Sequence, residues 1–307
     1  MENNERKEKG IPQHLITAIR SLYAENKIMI ETRSKSKKNI IATINKGVRQ
    51  WCPLSPALLI YINVAIKTWQ EELKIHFKIR NKILDTLLFA DDQVIIASSE
   101  DNLQMALFKL NTIMEQYNFK ISIDKTKILA FRGLDTIRAK IVLKDKILEQ
   151  VNCFNYLGCN VSYNKNEDLI IKINRFNYMC GTIRRYLKNT RTETKLKFYK
   201  MMAVPVLLYG SEFWTLTKKK EKMIETAEMR LLRNIAGYTR LDRKRNEDIR
   251  KQLNIFKLTD KIEIYRRKWI EHVQRMPEDR IPKIITNYKP TGKRNVGRPR
   301  KRWNEQF

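Results

Sequence analysis

Residues Lys82–Ser98 read KILDTLLFADDQVIIAS. Two apolar runs, Ile83–Phe89 and Val94–Ala97, flank Asp91 and Asp92. Short runs of Leu, Ile, Val and Phe read as buried strands, and Asp-rich punctuation between them reads as a tight turn. The stretch therefore predicts a β-hairpin with two carboxylates at its tip. Asp is a common turn residue, so a solvated turn is one reading. Paired acids beside buried strands also suit a hard divalent cation, because Mg²⁺ is held by one or two carboxylates plus substrate phosphates. The flanking chain has to decide between these readings.

Upstream, residues 11–26 place Leu15, Ile19 and Leu22 at helical spacing behind Pro12, a favoured first helical residue. Lys27–Thr32 and Ile40–Ile44 read as two strands of a hairpin with a cationic tip. The segment GVRQWCPLSP (47–56) is a loop enforced by Gly47, Pro53 and Pro56. It feeds a helix carrying Leu58, Ile62, Ala65, Trp69 and Leu73 on one face, which Ser55 and Pro56 can start. A loop entering a helix N-terminus exposes backbone N–H groups and the positive end of the helix dipole, a ready anion site beside Arg49 and Gln50.

Downstream, Leu103, Ala106, Leu107, Leu110, Ile113, Met114 and Tyr117 predict a helix packed on a sheet. Ile121–Ile123 and Ile128–Phe131 read as strands around the link 124–127, and Val151–Ser162 as a further strand pair bent at Gly158. This order of elements predicts an α+β unit with an antiparallel component. The texture then turns helical. One helix runs through Leu169, Ile173, Phe176, Cys180, Ile183 and Leu187. A second, Thr192–Leu208, is kinked or ended near Pro205, and a third, Lys218–Ala236, stops at Gly237. Arg240–Arg245 reads as a basic linker, and Leu258, Ile262, Tyr265, Trp269 and Val273 mark a last long helix ended by Pro277.

The charge is the outlier of the composition. Sixty-two Lys and Arg against 33 Asp and Glu leave +29 over 307 residues. Such an excess repels itself unless a polyanion neutralises it, which makes nucleic acid the leading partner class. The tail 289–303 carries seven basic residues and no acidic one. No apolar run approaches membrane-spanning length, and the N-terminus lacks an apolar signal core, so an intracellular protein with no membrane partner is expected. Cys52, Cys153, Cys159 and Cys180 show no CxxC pairing, and His14, His76 and His272 are scattered, so neither a disulfide framework nor a zinc knuckle is indicated.

These pieces, in this order, resemble the reverse transcriptase of non-LTR (LINE-type) retrotransposons, from animal endonuclease–reverse transcriptase polyproteins. Residues 47–56 look like that family's template- and nucleotide-positioning segment. Phe89-Ala90-Asp91-Asp92 looks like its catalytic aromatic-x-Asp-Asp hairpin, and DKTKI (124–128) sits where the family has a lysine-bearing segment. FNYLG (154–158) resembles its primer-grip hairpin, and residues 203–214 and GRPRKRW (297–303) resemble its C-terminal landmarks.

The resemblance implies an α+β fold: a partial polymerase palm over 1–163, a thumb-like helical region over 164–238, and a basic helical C-terminal region over 239–307 whose tail is disordered from about residue 289. It implies RNA-directed DNA polymerisation by two-metal nucleotidyl transfer, with two Mg²⁺ ions, or Mn²⁺ in their place, acting on an RNA template and a DNA primer. Asp91 would ligate metal directly and Asp92 more weakly. Phe89 would pack the hairpin from beneath, and Arg49, Gln50, Pro53 and Ser55 would hold template and nucleotide. Lys125 or Lys127 would lie near the leaving group, and Tyr156, Leu157 and Gly158 would place the primer end. Lys293, Arg294, Arg298, Arg300, Lys301 and Arg302 form a basic tail that reads as a DNA-binding or nuclear-import segment. No obligate protein partner is implied.

Two departures from the family pattern enter the expectation. The family's third carboxylate belongs to a segment before the first helix, where this chain has only MENNERKEKG (1–10), and Trp51 stands where the pattern has Gly. Both fit an N-terminally truncated copy with impaired chemistry. The alternative is therefore a non-catalytic nucleic-acid-binding remnant.

Overall fold

The computed structural model describes residues 12–24, 26–31, 39–44, 55–131, 137–162, 167–288 and 303. The chain divides into two compact units, 1–67 and 68–307. Arg49, Gln50, Pro53 and the tail cations Lys293, Arg294, Arg298, Arg300, Lys301 and Arg302 lie outside the described residues.

In the first unit, α1 (Gln13–Tyr23) follows Pro12 and buries Ile16, while Leu15 and Leu22 stay half exposed. Strands β1 (Asn26–Glu31) and β2 (Asn39–Ile44) form the expected antiparallel hairpin, in register from Asn26↔Ile44 to Glu31↔Asn39. Helix α2 (Ser55–Glu72) starts at Ser55.

The second unit opens with two hairpins in succession: β3 (Lys78–Ile79) with β4 (Lys82–Ile83), then β5 (Thr86–Phe89) with β6 (Asp92–Ile95). Ser99 caps α3 (Glu100–Gln116) by accepting from the Asn102 amide at 3.2 Å, and Glu100 and Asp101 sit in the first turn, where the helix dipole favours acids. The Trp69 indole N–H donates to the Ala106 carbonyl at 2.8 Å, seating α3 against the end of α2.

Strand β7 (Lys127–Ile128) pairs in parallel with β10 (Glu149–Gln150), and β8 (Val142–Leu143) forms a hairpin with β9 (Lys146–Ile147). Leu107 of α3 closes a small core with Ile128, Ile141, Leu143 and Leu148. Two expectations need correction here. Ile121–Ile123 is not a strand: the Thr126 amide returns to the Ser122 carbonyl at 3.0 Å, and this turn takes the backbone groups a ladder would use. Ile121 and Ile123 still pack on the small core, which is why they are apolar. The strand expected over 128–131 shrinks to Lys127–Ile128, and it pairs in parallel. Nor do the ladders merge into one palm sheet. Each described sheet has two strands, with β11 (Cys153–Tyr156) and β12 (Cys159–Ser162) forming the last of them.

From residue 167 the unit is helical, around one continuous core. Helix α4 (Glu167–Tyr186) buries Leu169, Ile173, Phe176, Cys180 and Ile183. The expected helix over 192–208 forms in three pieces: α5 (Thr192–Phe198), a π-turn at Tyr199–Ala203, and α6 (Val204–Leu208). Pro205 has no N–H to give an α-helical ladder and crowds the preceding turn. The Val204 amide reaches back five residues to the Tyr199 carbonyl, so the widened turn absorbs the misfit without breaking the axis.

Helix α7 (Lys218–Ala236) buries Ile224, Ala227, Leu231 and Ile235 as expected, and Gly237 ends it at φ 78°. Two short helices appear where the sequence predicts none. Helix α8 (Asn246–Leu253) has only Ile249 and Leu253 as buried apolar anchors. Beyond α9 (Leu258–Gln274) lies α10 (Ile281–Thr286).

The anchor of α8 is polar. Arg250 reaches Glu228, fully buried on α7, at 2.7 Å, and Glu225 at 3.1 Å; the Tyr199 hydroxyl donates to Glu228 at 3.1 Å. Burial pushes the Glu228 carboxyl up, while Arg250 and Tyr199 oppose that shift. Cys180 lies beside this cluster, its thiol pushed up to about 12 by burial and by the Glu228 charge. It is a packing thiol, free like Cys153 and Cys159. Among the described residues, no helix is long and apolar enough to cross a membrane.

Candidate functional site

The β5–β6 hairpin pairs Thr86↔Ile95, Leu87↔Val94, Leu88↔Gln93 and Phe89↔Asp92, which leaves Ala90-Asp91 as a two-residue turn. Ala90 holds φ 54°, a region ordinarily left to Gly or Asn. Asp91 sits in the turn, and Asp92 opens β6 directly opposite Phe89, so Phe89 and Asp92 share one face. Both acids are exposed. Phe89 is itself 61% exposed, not packed beneath the hairpin. In a chain with 62 cations, neither Asp91 nor Asp92 forms an ion pair among the described residues.

The base of this hairpin is held by a residue that the sequence reading passes over. Asp85 is 3% exposed and accepts hydrogen bonds from the Phe77 amide at 2.6 Å and from His76 Nδ1 at 2.5 Å. Its carbonyl accepts from the Ile96 amide at 2.8 Å. The signal for it was an acid inside an apolar run, since buried charges are paired. Asp85 lies four strand residues below the tip, about 13 Å at the rise of a β-strand, too far to share a cation with Asp91 and Asp92.

The second hairpin, β11–β12, turns at Leu157 and Gly158, both with positive φ (49° and 77°), as a type I′ turn requires. Gly158 is needed for space as well: a Cβ there would stand 3.0 Å from the Tyr209 ring. The Tyr209 hydroxyl donates to the Leu157 carbonyl at 2.8 Å. Replacing Tyr209 by Phe keeps the ring and removes this bond. It is expected to cost about 1 kcal/mol in chemical denaturation.

Tyr156 is half-buried, and burial, then the charge of Asp92, push its phenol above the ordinary range. The Asp92 charge thus reaches the Tyr156 phenol, which stays protonated.

Behind β12 lies a buried polar knot. Asp168 of α4 accepts from the Asn160 amide at 2.9 Å, from the Asn160 side chain at 3.2 Å and from the Trp214 indole at 2.7 Å. Lys172, one turn on and 2% exposed, pairs with Asp168 at 3.1 Å and donates to the Tyr209 carbonyl. Its ammonium lies 5.4 Å from the Tyr209 ring centre and 5.7 Å from that of Trp214. Gly210, at φ 69°, lets the chain pass: a Cβ there would fall 2.5 Å from Cys159 Sγ. The segment around 203–214 thus grips the 153–162 hairpin.

Of the remaining expected site residues, Ser55 is the first residue of α2, and Lys125 is exposed in the turn at 123–125. No group of three or more His, Cys, Asp or Glu side chains is gathered to hold a metal among the described residues. Asp91 and Asp92, exposed and in no ion pair among the described residues, do suit one hard cation that keeps positions open for phosphate and water.

Against known proteins, the family model described as reverse transcriptase (RNA-dependent DNA polymerase) matches residues 2–161, which span both hairpins. An uncharacterized transposon-derived protein of Caenorhabditis elegans is 26% identical over 243 residues, covering 75% of this chain and 86% of that protein. The match spans more than half of the chain and takes in both the exposed Asp-Asp turn and the clamped 153–162 hairpin, so the chain belongs to the reverse transcriptase (RNA-dependent DNA polymerase) family.

Proposed function

We propose that the chain is the polymerase region of a non-LTR, LINE-type retrotransposon and extends a DNA primer on an RNA template. The observation that supports this reading is the pair of exposed carboxylates, Asp91 and Asp92, at the tip of an antiparallel hairpin and in no ion pair among the described residues. Asp91 and Asp92 would hold a divalent cation, Mg²⁺ or Mn²⁺, whose chemistry there would be to acidify the primer 3′-hydroxyl and to stabilise charge on the transferred phosphate. Tyr156, Leu157 and Gly158 place the primer end. Arg49, Gln50, Pro53 and Ser55 position template and nucleotide, and Lys125 lies toward the leaving group. The part up to 163 is the palm, the helices over 164–238 act as the thumb, and the basic tail contacts DNA and directs the chain to the nucleus.

A second reading, a nucleic-acid binder without polymerase chemistry, is favoured by Trp51, which puts a large side chain where close backbone approach to a nucleotide calls for Gly. Primer extension by the purified chain on poly(rA)/oligo(dT) separates the two. Extension that requires Mg²⁺ or Mn²⁺ is expected. Tight hybrid binding without extension under either cation selects the second reading.

A further inference from the structure

Helix α4 buries Leu169, Lys172, Ile173, Phe176, Cys180 and Ile183. At 3.6 residues per turn these fall within an arc of about 100°. Arg175, Tyr178, Thr182, Arg185 and Tyr186 occupy a second arc of about 100°, centred roughly 140° around the axis from the first. Tyr178 and Tyr186 are each 75% exposed. Arg175 and Arg185 are exposed and form no ion pair among the described residues. From 169 to 192 the chain carries six cations and no acid.

A solvated basic face gains nothing from two rings held in water, because tyrosine contributes chiefly by covering apolar area. The rings recur eight residues apart, about 12 Å along the helix, which matches three to four stacked bases at about 3.4 Å each. Rings that stand free can stack only on bases whose faces are free. A duplex offers backbone and groove edges, whereas a single strand offers base faces between its phosphates.

We infer that this face of α4 is a track for single-stranded nucleic acid, with Tyr178 and Tyr186 stacking on unpaired bases and Arg175 and Arg185 holding the intervening phosphates. The inference rests on the nucleic-acid reading above and adds the strandedness of the ligand and the residues that meet it.

The test is fluorescence anisotropy of labelled oligothymidylate of about 20 nucleotides, and of a duplex of equal length, in EDTA without nucleotides. No catalysis is involved, so failure of the polymerase reading leaves the result readable. Tyr178→Ala and Tyr186→Ala are each expected to weaken single-strand binding by about 5- to 150-fold and to leave duplex binding within about twofold. Tyr178→Phe keeps the ring and is expected to bind as the parent does. Arg175→Ala and Arg185→Ala should each lower the slope of log affinity against log salt by about 0.7. All four side chains are exposed, so circular dichroism and melting should be unchanged. Unaltered single-strand binding by both Tyr→Ala variants overturns the proposal. So does an equal loss for single strand and duplex, which would make the face a backbone contact only.

Discussion

Asp91→Asn is expected to lower primer extension by at least about 10³-fold, the equivalent of losing several kcal/mol of charge stabilisation in the transition state. The substitution keeps the shape of the side chain and removes the charge. Asp91 stands exposed in a turn with no ion pair among the described residues, so the folded chain loses no partner, and melting should move by no more than about 0.5 kcal/mol equivalent. Asp92→Asn should cost less, because we propose Asp92 as the weaker ligand. It should also lower the Tyr156 phenol toward its ordinary range, since the Asp92 charge is part of what raises it. That shift can be followed by ultraviolet titration and needs no turnover. Hybrid binding gives an independent sign: removing a negative charge from a tip proposed to meet phosphate should leave affinity equal or tighter. Extension by Asp91→Asn at the parent rate would remove this residue from the chemistry.

The Asp-Asp hairpin was legible because its two signals agree. Apolar runs of strand length stand on each side, and turn residues stand between them. The same agreement made the 153–162 hairpin readable, where Gly158 meets both a positive φ and the Tyr209 ring. Helix α7 was legible to the residue, since Thr217 and Gly237 bracket an uninterrupted helical period. The failures are as physical. Ile121–Ile123 carries strand-like residues, but the Ser122–Thr126 turn claims its backbone, and burial of two isoleucines needs no ladder. Helix α8 was unreadable because its fixing residue is Arg250, whose meaning depends on Glu228 twenty-two positions earlier. Asp85 was missed for the same reason, since its partners His76 and the Phe77 amide lie on another segment. Polar knots are set by tertiary partners, and periodicity carries no trace of them.

The two hairpins do not share a ladder among the described strands, so their relative placement falls to what stands behind them. For the 153–162 hairpin that support is the helical region: Asn160 is tied to Asp168, Leu157 to Tyr209, and both lead to Lys172. The buried ammonium holds a carboxylate on its own helix and a carbonyl thirty-seven residues away. A helical region that looks separate in sequence thereby becomes part of the mounting for Tyr156.

Lys172→Met tests that mounting, and it is expected to destabilise the chain by about 3–5 kcal/mol, because it leaves Asp168 charged and half-buried without its ammonium. For a unit of this size that corresponds to a fall in melting temperature of about 10 °C. Methionine fills similar volume, so the loss reports charge rather than a cavity. Adding Asp168→Asn should recover part of it, with a coupling of about 0.5–3 kcal/mol, since the amide oxygen can still accept from Asn160 and Trp214.

The dependence on pH has a definite sign. Burial alone would raise the Asp168 carboxyl; the Asn160 amide, the Trp214 indole and Lys172 outweigh it and hold the group below the usual carboxylate range. A depressed folded value stabilises the chain above the unfolded value, about 4, and that contribution fades as pH falls through the lower folded one. The parent chain should therefore lose stability below about pH 4 more steeply than Lys172→Met, in which the depression is smaller. Parallel acid-denaturation curves for the two proteins would show instead that Asn160 and Trp214 hold Asp168 unaided, and that Lys172 serves only the Tyr209 carbonyl.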